Sequence, residues 1–383
     1  MRNDTTNHVV LKINQLNQIP NLRVNIQPKE DIMKKAILLL CITAGLLLVP
    51  ASQVLAFHDE GVARCAGCHT MHNSDNGVAI DADGANAYLL RDETASDVCL
   101  SCHQTGHGYV WGDPLLPPTE KGGGNFAWSN VANLNDGRNG NLPANFIPGY
   151  KGSHNIITQS HNSTADPVLT HSPGGNYPSS AMSCTSCHDP HGNTNFRLLY
   201  GAGHVQAGNF NFTNAAPDAE GISDTGTEAQ SSHTAYRGGM SAWCANCHGD
   251  YHNAGANFVH KSGMAMGSDV AQIYNLYNGT GDQLGGVEAT AYLPAVAFED
   301  PDMTTTSTNG PVANSQVSCI SCHRAHGTSS PNMGRWDFGV GVQSEDGRYA
   351  YETPLPAPYS DDHQRALCNK CHNKDRDDEN SGL

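Results

Sequence analysis

Twelve of the chain's thirteen cysteines stand in C-x-x-C pairs, and a histidine follows every pair. The six copies read CAGCH (65–69), CLSCH (99–103), CTSCH (184–188), CANCH (244–248), CISCH (319–323) and CNKCH (368–372). Two thiols at this spacing reach one edge of a planar macrocycle and add to its two vinyl groups. The next residue then lies beneath the central metal. This is the attachment signature of c-type haem. It assigns thioether roles to Cys65 and Cys68, Cys99 and Cys102, Cys184 and Cys187, Cys244 and Cys247, Cys319 and Cys322, and Cys368 and Cys371. His69, His103, His188, His248, His323 and His372 become proximal iron ligands, and the expected cofactor load is six covalent haem c. Zinc ribbons pair C-x-x-C units about 15–20 residues apart and require no trailing histidine. Redox-active C-x-x-C sites do not recur six times with one.

Each haem iron accepts a second axial ligand, and the chain has 20 histidines. His72, His107, His191, His252 and His326 trail the motifs at short range. Three or four residues are too few to carry the chain round to the opposite face of the same ring. A trailing imidazole therefore reaches a neighbouring haem more easily than its own. His58, His154 and His260 are open to either reading on composition. His161, His171, His204, His233 and His363 are read as surface polar residues. Histidine is abundant enough for bis-histidine ligation throughout, whereas methionine in that position raises the potential.

Hydrophobic residues make up 38% of the chain, a low proportion, and Gly and Pro together number 60 of 383. Little of the sequence carries helical or alternating periodicity. The exception is SDVAQIYNLYN (268–278), where Val270, Ile273, Tyr274 and Tyr277 share a face and Ser268 is placed to N-cap it. The expected fold is mostly irregular coil with short α-helices and minimal β structure, wrapped around a continuous chain of haems that replaces an ordinary core. Covalent and coordinate bonds then hold the backbone at many points. DADGAN (81–86) looks like part of a calcium loop but lacks the twelve-residue pattern, and is read as a plain turn.

Positions 33–56, MKKAILLLCITAGLLLVPASQVLA, read as a signal peptide with a Lys34–Lys35 n-region, a short apolar run and a Val54-Leu55-Ala56 cleavage site. The apolar run is short for a transmembrane anchor. Residues 1–32 read as a mis-called extension upstream of the Met33 start, leaving a single domain over 57–383. Positions 1–56 hold six basic and three acidic residues, so the remainder has 15 against 34 and a net charge of −19. That balance argues against nucleic acid or anionic membrane surfaces as partners.

Several stretches are specific beyond the motif itself. FHDEGVARCAGCHTMHNS (57–74), YPSSAMSCTSCHDPHG (177–192), MSAWCANCHGDYHN (240–253), VSCISCHRAHG (317–327), QRALCNKCH (364–372) and the 268–278 segment with AYLPAVAFED after it resemble the filament-forming extracellular hexahaem c-type cytochromes, the cytochrome nanowire family. The resemblance spans all six motifs in order. It implies a secreted protein that polymerises head to tail, with a continuous haem path alternating parallel and T-shaped contacts and bis-histidine iron throughout. It also implies distal roles for His58, His154 and His260. His72 would cross to the next subunit and ligate the haem of Cys319, Cys322 and His323. Other redox proteins or extracellular acceptors would exchange electrons with the polymer. Two spacers, 324–367 and that between the third and fourth motifs, are shorter than in the family, which bears on the outer surface. The function expected is electron transfer and not catalysis. A monomeric periplasmic carrier is the first alternative. A multihaem reductase is the second, and it would need an iron with an open site, often marked by a variant motif that this chain lacks.

Overall fold

The computed structural model describes residues 65–104, 110–112, 123–134, 146–222, 233–252, 262–278, 282–291, 293, 296–304, 310–335 and 367–372. Expectations for the 1–32 extension, the 33–56 signal peptide, His58, His107, His260 and His363 lie outside these residues.

Every haem motif occupies one helical turn. Four are α-helical: α1 (Cys65–Cys68), α2 (Ala95–His103), α3 (Met240–His252) and a later turn at Cys319–Cys322. The third and sixth are 3-10 turns at Cys184–Ser186 and Leu367–Lys370. Helical residues three apart share a face, so the two thiols of each pair point the same way. The turn closes on the motif histidine: the His69, His188, His323 and His372 amides donate to the carbonyls of Cys65, Cys184, Cys319 and Cys368 at 2.8–3.1 Å. In α3 the helix breaks at the motif histidine itself, His248 having φ −122° and ψ 42°.

The remaining helices are α4 (Gly267–Leu276) and α5 (Glu288–Ala291), which makes the Cys319–Cys322 turn α6. Helix α4 buries Tyr274, with Val270 and Ile273 half-buried beside it and Tyr277 buried just beyond its end, the face read from the sequence. Its start differs from expectation. Met266, not Ser268, is the N-cap, because the Met266 and Gly267 amides already donate to the carbonyls of Ser315 and Ala313. The Ser268 hydroxyl instead donates to Asp269.

Strand structure is slight, as expected. Among the described residues, eight strands of two to four residues form two hairpins and one small sheet. β1 (Ser74–Asp75) and β2 (Val78–Ala79) pair across Asn76 and Gly77, whose φ values of 50° and 84° suit an Asn-Gly hairpin turn. β3 (Gly203–Val205) pairs antiparallel with β4 (Phe210–Phe212). β5 (Asp218–Glu220), β6 (Ala235–Gly238), β7 (Phe298–Glu299) and β8 (Gln316–Val317) lie in that order, the β6–β7 pairing parallel.

The apolar interior is divided into three small clusters, each touching a motif cysteine. Tyr274, Leu293 and Phe298 pack beside Cys322 and Cys371. Leu100, Trp111, Phe126, Ala127 and Ile156 pack beside Cys184. Tyr200, Val205 and Phe212 pack beside Cys247. Among the described residues the protein's own core thus lines the attachment sites instead of forming one continuous centre.

Candidate haem-attachment sites

Proximal imidazoles are oriented through their Nδ1 atoms. His69 Nδ1 lies 3.0 Å from the Tyr88 carbonyl, His188 2.8 Å from Arg197, His248 2.7 Å from Pro173 and His323 2.9 Å from Asn332. A carbonyl oxygen can only accept, so Nδ1 carries the proton and the Nε2 lone pair is left for a metal. His154 has the same arrangement, with Nδ1 2.7 Å from the Ala325 carbonyl, which gives it the signature of a ligand.

Three of these acceptors belong to one recurring strap. After the first, third and fifth motifs the chain returns through Ala87–Leu89, Phe196–Leu198 and Pro331–Met333. In each strap two successive residues adopt left-handed backbone: Tyr88 and Leu89 (φ 56°, 57°), Arg197 and Leu198 (48°, 57°), Asn332 and Met333 (both 56°). The first carbonyl of each pair accepts from the imidazole. The second accepts from the amide after the motif: Thr70 to Leu89 at 2.7 Å, Asp189 to Leu198 at 2.8 Å and Arg324 to Met333 at 2.9 Å. The second cysteine's carbonyl then accepts from the returning chain, at Arg91, Tyr200 and Arg335. Left-handed backbone costs an L-residue roughly 1–2 kcal/mol, and none of the six is β-branched, for which the cost is highest. This repeat was missed in the sequence, where Asn86-Ala-Tyr-Leu-Leu90 and Asn195-Phe-Arg-Leu-Leu199 could have disclosed it. The fourth motif uses a segment that precedes it, with Pro173 facing His248 and the Ser172 hydroxyl donating to the Cys247 carbonyl.

Three histidine pairs face each other at closely similar distances. Ring centroids are 6.4 Å apart for His69 and His191, 6.5 Å for His188 and His326, and 6.1 Å for His154 and His248. Two metal–imidazole bonds of about 2.0 Å, placed back to back with about 1.1 Å from each nitrogen to its ring centre, span about 6.2 Å. In the first two pairs a trailing histidine faces the imidazole of a different motif, the interlocking expected of short trailing segments. His191 and His69 are within 6° of coplanar, His326 and His188 are tilted by 57°, and His154 and His248 by 33°.

The protein around these rings favours their neutral form. Burial lowers the pKa of His188, His248 and His323, against the opposing pull of their carbonyl bonds. It brings His154 down to about 4, with the nearby His248 adding to the effect, and His326 to about 3. Neutral imidazole is the ligating form. Burial likewise pushes the Cys187, Cys247 and Cys322 thiols up to about 12 and Cys371 to about 11.

Motifs are also brought together in twos. The Cys99 thiol lies beside the Cys184 thiol, and the Cys244 thiol beside the Cys319 thiol. The second attachment edge therefore abuts the third, and the fourth abuts the fifth. The sixth turn is anchored by its own spacer residue: Lys370, 1% exposed, donates to the Tyr277 carbonyl at 3.0 Å and the Ala291 carbonyl at 2.6 Å, and lies 4.5 Å from the Tyr274 ring centroid.

Other candidate histidines fall as follows. His72 is exposed beside the β1–β2 hairpin, and His252 ends α3 with Nδ1 3.3 Å from the Ser262 hydroxyl. His171 and His204 are exposed. His161 stacks on Trp111 at 4.2 Å. His233 departs from expectation: it is buried, not on the surface, with Nδ1 3.1 Å from the Thr234 carbonyl. The 81–86 segment is a turn stitched to the hairpin, with the Asp81 amide and carbonyl both bonded to the Asn73 side chain.

Two thiols on one turn, an imidazole on the next residue and a second imidazole at axial distance fit haem c. Comparison with known proteins agrees. The doubled CXXCH motif family matches residues 177–209, which contain the third motif. The chain is 33% identical over 441 aligned residues to the C-type cytochrome OmcS of Geobacter sulfurreducens, covering 88% of this chain and 98% of OmcS. Two solved structures are also similar. One is the outer membrane cytochrome S filament from Geobacter sulfurreducens, with TM-score 0.68, 30% identity, 82% of this chain and 98% of that one. The other is the OmcS nanowire of the same organism, with TM-score 0.67, 30% identity, 82% of this chain and 99% of that one.

Proposed function

The chain belongs to the OmcS family of c-type cytochromes, and from that premise we propose that it carries electrons outside the cell as a filament of head-to-tail subunits. Six covalent haem c groups would be held by the twelve motif thiols, each supplying a one-electron iron couple. The protein residues space, orient and insulate them. The observation that carries the reading is the set of three facing imidazole pairs at 6.1–6.5 Å, drawn from different parts of the chain.

His191, His326 and His154 are the distal ligands opposite His69, His188 and His248 in this reading. His58, His72, His252 and His260 are the candidates for the second, fifth and sixth irons. His72 is the trans ligand, reaching the iron of Cys319, Cys322 and His323 in the next subunit. Its exposure near the start of the mature chain supports that role. An interface in which one surface donates and a different one receives propagates as an open polymer unless it closes into a ring. Export under the 33–56 signal peptide delivers the 57–383 domain to the periplasm and then to the cell exterior. No helix among the described residues is long and apolar enough to cross a membrane.

The test is His72→Ala in secreted protein, read by negative-stain microscopy and electron paramagnetic resonance. All haems stay attached, filaments shorten or vanish, and one haem per chain becomes high-spin. Long filaments with every haem low-spin would refute the trans ligand.

A further inference from the structure

We propose that the left-handed residue pairs Tyr88–Leu89, Arg197–Leu198 and Asn332–Met333 are positioning devices that set the reduction potentials of the first, third and fifth haems by aiming a backbone carbonyl at each proximal histidine. The inference rests on reading these motifs as haem sites.

The geometry is the same three times. In each strap the first left-handed residue presents its carbonyl to the imidazole Nδ1 at 2.8–3.0 Å. The second presents its carbonyl to the amide that follows the histidine, at 2.7–2.9 Å. A two-residue bridge pairing then locks the return: His69 with Leu90, His188 with Leu199 and His323 with Gly334. In an extended strand successive carbonyls face opposite ways, so two adjacent ones could not both reach one motif. The left-handed pair turns both toward it. Strained backbone of this kind persists where its surroundings over-determine it, and gathers at functional sites. Among the described residues ten non-glycine positions have positive φ; six are these, and the other four are all asparagines, which tolerate that conformation.

An Nδ1–H bond to a carbonyl increases the imidazole's basicity as a ligand. A more basic ligand favours the oxidised iron and lowers the potential. The bond also fixes the plane of the ring. The strap residues touch neither iron nor porphyrin in this account; they act through the histidine.

Arg197→Val and Arg197→Asn in the full-length secreted protein separate conformation from charge. Both remove the guanidinium, but valine is β-branched and disfavours the left-handed region, whereas asparagine tolerates it. Potentiometric titration followed by electron paramagnetic resonance should show the third haem's potential higher in the valine variant than in the asparagine variant. The expected shift in its reduction equilibrium is up to about tenfold, about 59 mV for one electron, with altered low-spin g-values. Asn332→Val should do the same to the fifth haem, and Asn332→Gly should restore the wild-type signal. An Arg197→Val protein with the potential and g-values of Arg197→Asn, together with an Asn332→Val protein with those of wild type, would overturn the inference. Wild-type protein that carries no covalent haem at these motifs would instead overturn the haem reading on which it rests.

Discussion

Gly175 lies where the segment preceding the third motif passes against the fourth, and a methyl group there would stand 1.8 Å from the Cys247 carbonyl oxygen and 2.8 Å from its carbon. Real Cβ contacts do not fall below 3.0 Å, so Gly175→Ala must displace one backbone from the other by at least about 1.2 Å. The same segment places the Pro173 carbonyl 2.7 Å from His248 Nδ1. A shift of that size along the bond stretches it to about 3.9 Å, beyond hydrogen-bonding range. A bond of this kind is worth about 0.5–1.5 kcal/mol net. At 59 mV per tenfold change, its loss from the oxidised state raises the fourth haem's potential by about 20–60 mV. Overpacking adds a stability cost of about 1–3 kcal/mol. Spectroelectrochemical titration of the purified protein should show one of the haem components moved upward. Gly201→Ala is the control, since its new methyl would meet only ordinary contacts at 3.7 Å. A Gly175→Ala curve that overlays wild type would refute the role given to the Pro173 carbonyl.

Pyridine haemochrome assay against protein mass should return six haems per chain; four would mean idle motifs. His326→Ala should leave the third haem attached but convert it to high spin, about one sixth of the total signal, while the other haems stay low-spin. Asp97, 2% exposed, accepts from Thr94 Oγ1 at 2.6 Å, Ser160 Oγ at 2.5 Å and the Gln159 and Ser160 amides at 2.9 and 3.1 Å. Burial alone would raise its pKa, but these bonds outweigh it and hold the carboxyl below its ordinary value. Asp97→Asn replaces one acceptor oxygen by a donor, strands up to two of the four donors and should cost about 2–4 kcal/mol in denaturant unfolding. Because the folded pKa is depressed, wild type keeps this contribution above the ordinary carboxylate range and loses it as pH falls through the folded value; the variant should lack that acid-side loss.

Cofactor attachment was legible in the sequence because it is local. A C-x-x-C-H segment needs one helical turn to aim two thiols and an imidazole, and one turn is specified by spacing alone. The apolar face of 268–278 was legible for the same reason, and the scarcity of strand followed from composition. The Ser268 cap was not, because the residues that satisfy the helix start, Ser315 and Ala313, come from a distant segment. His233 was misread as a surface residue because burial is not a property of a lone residue type.

The sequence by itself determined which residues make up each C-x-x-C-H unit, since a unit lies within five consecutive positions. Only the tertiary structure decided which imidazoles face each other. His191 turns to His69 and His326 to His188, each crossing to a different motif, and nothing in the two residues that separate His191 from His188, or His326 from His323, fixes that direction. The straps divide along the same line. Their recurring residues are written in the chain, but a left-handed turn costs energy in isolation, and it holds only where the imidazole, the amide beyond it and the second cysteine's carbonyl all bond to the returning backbone at once.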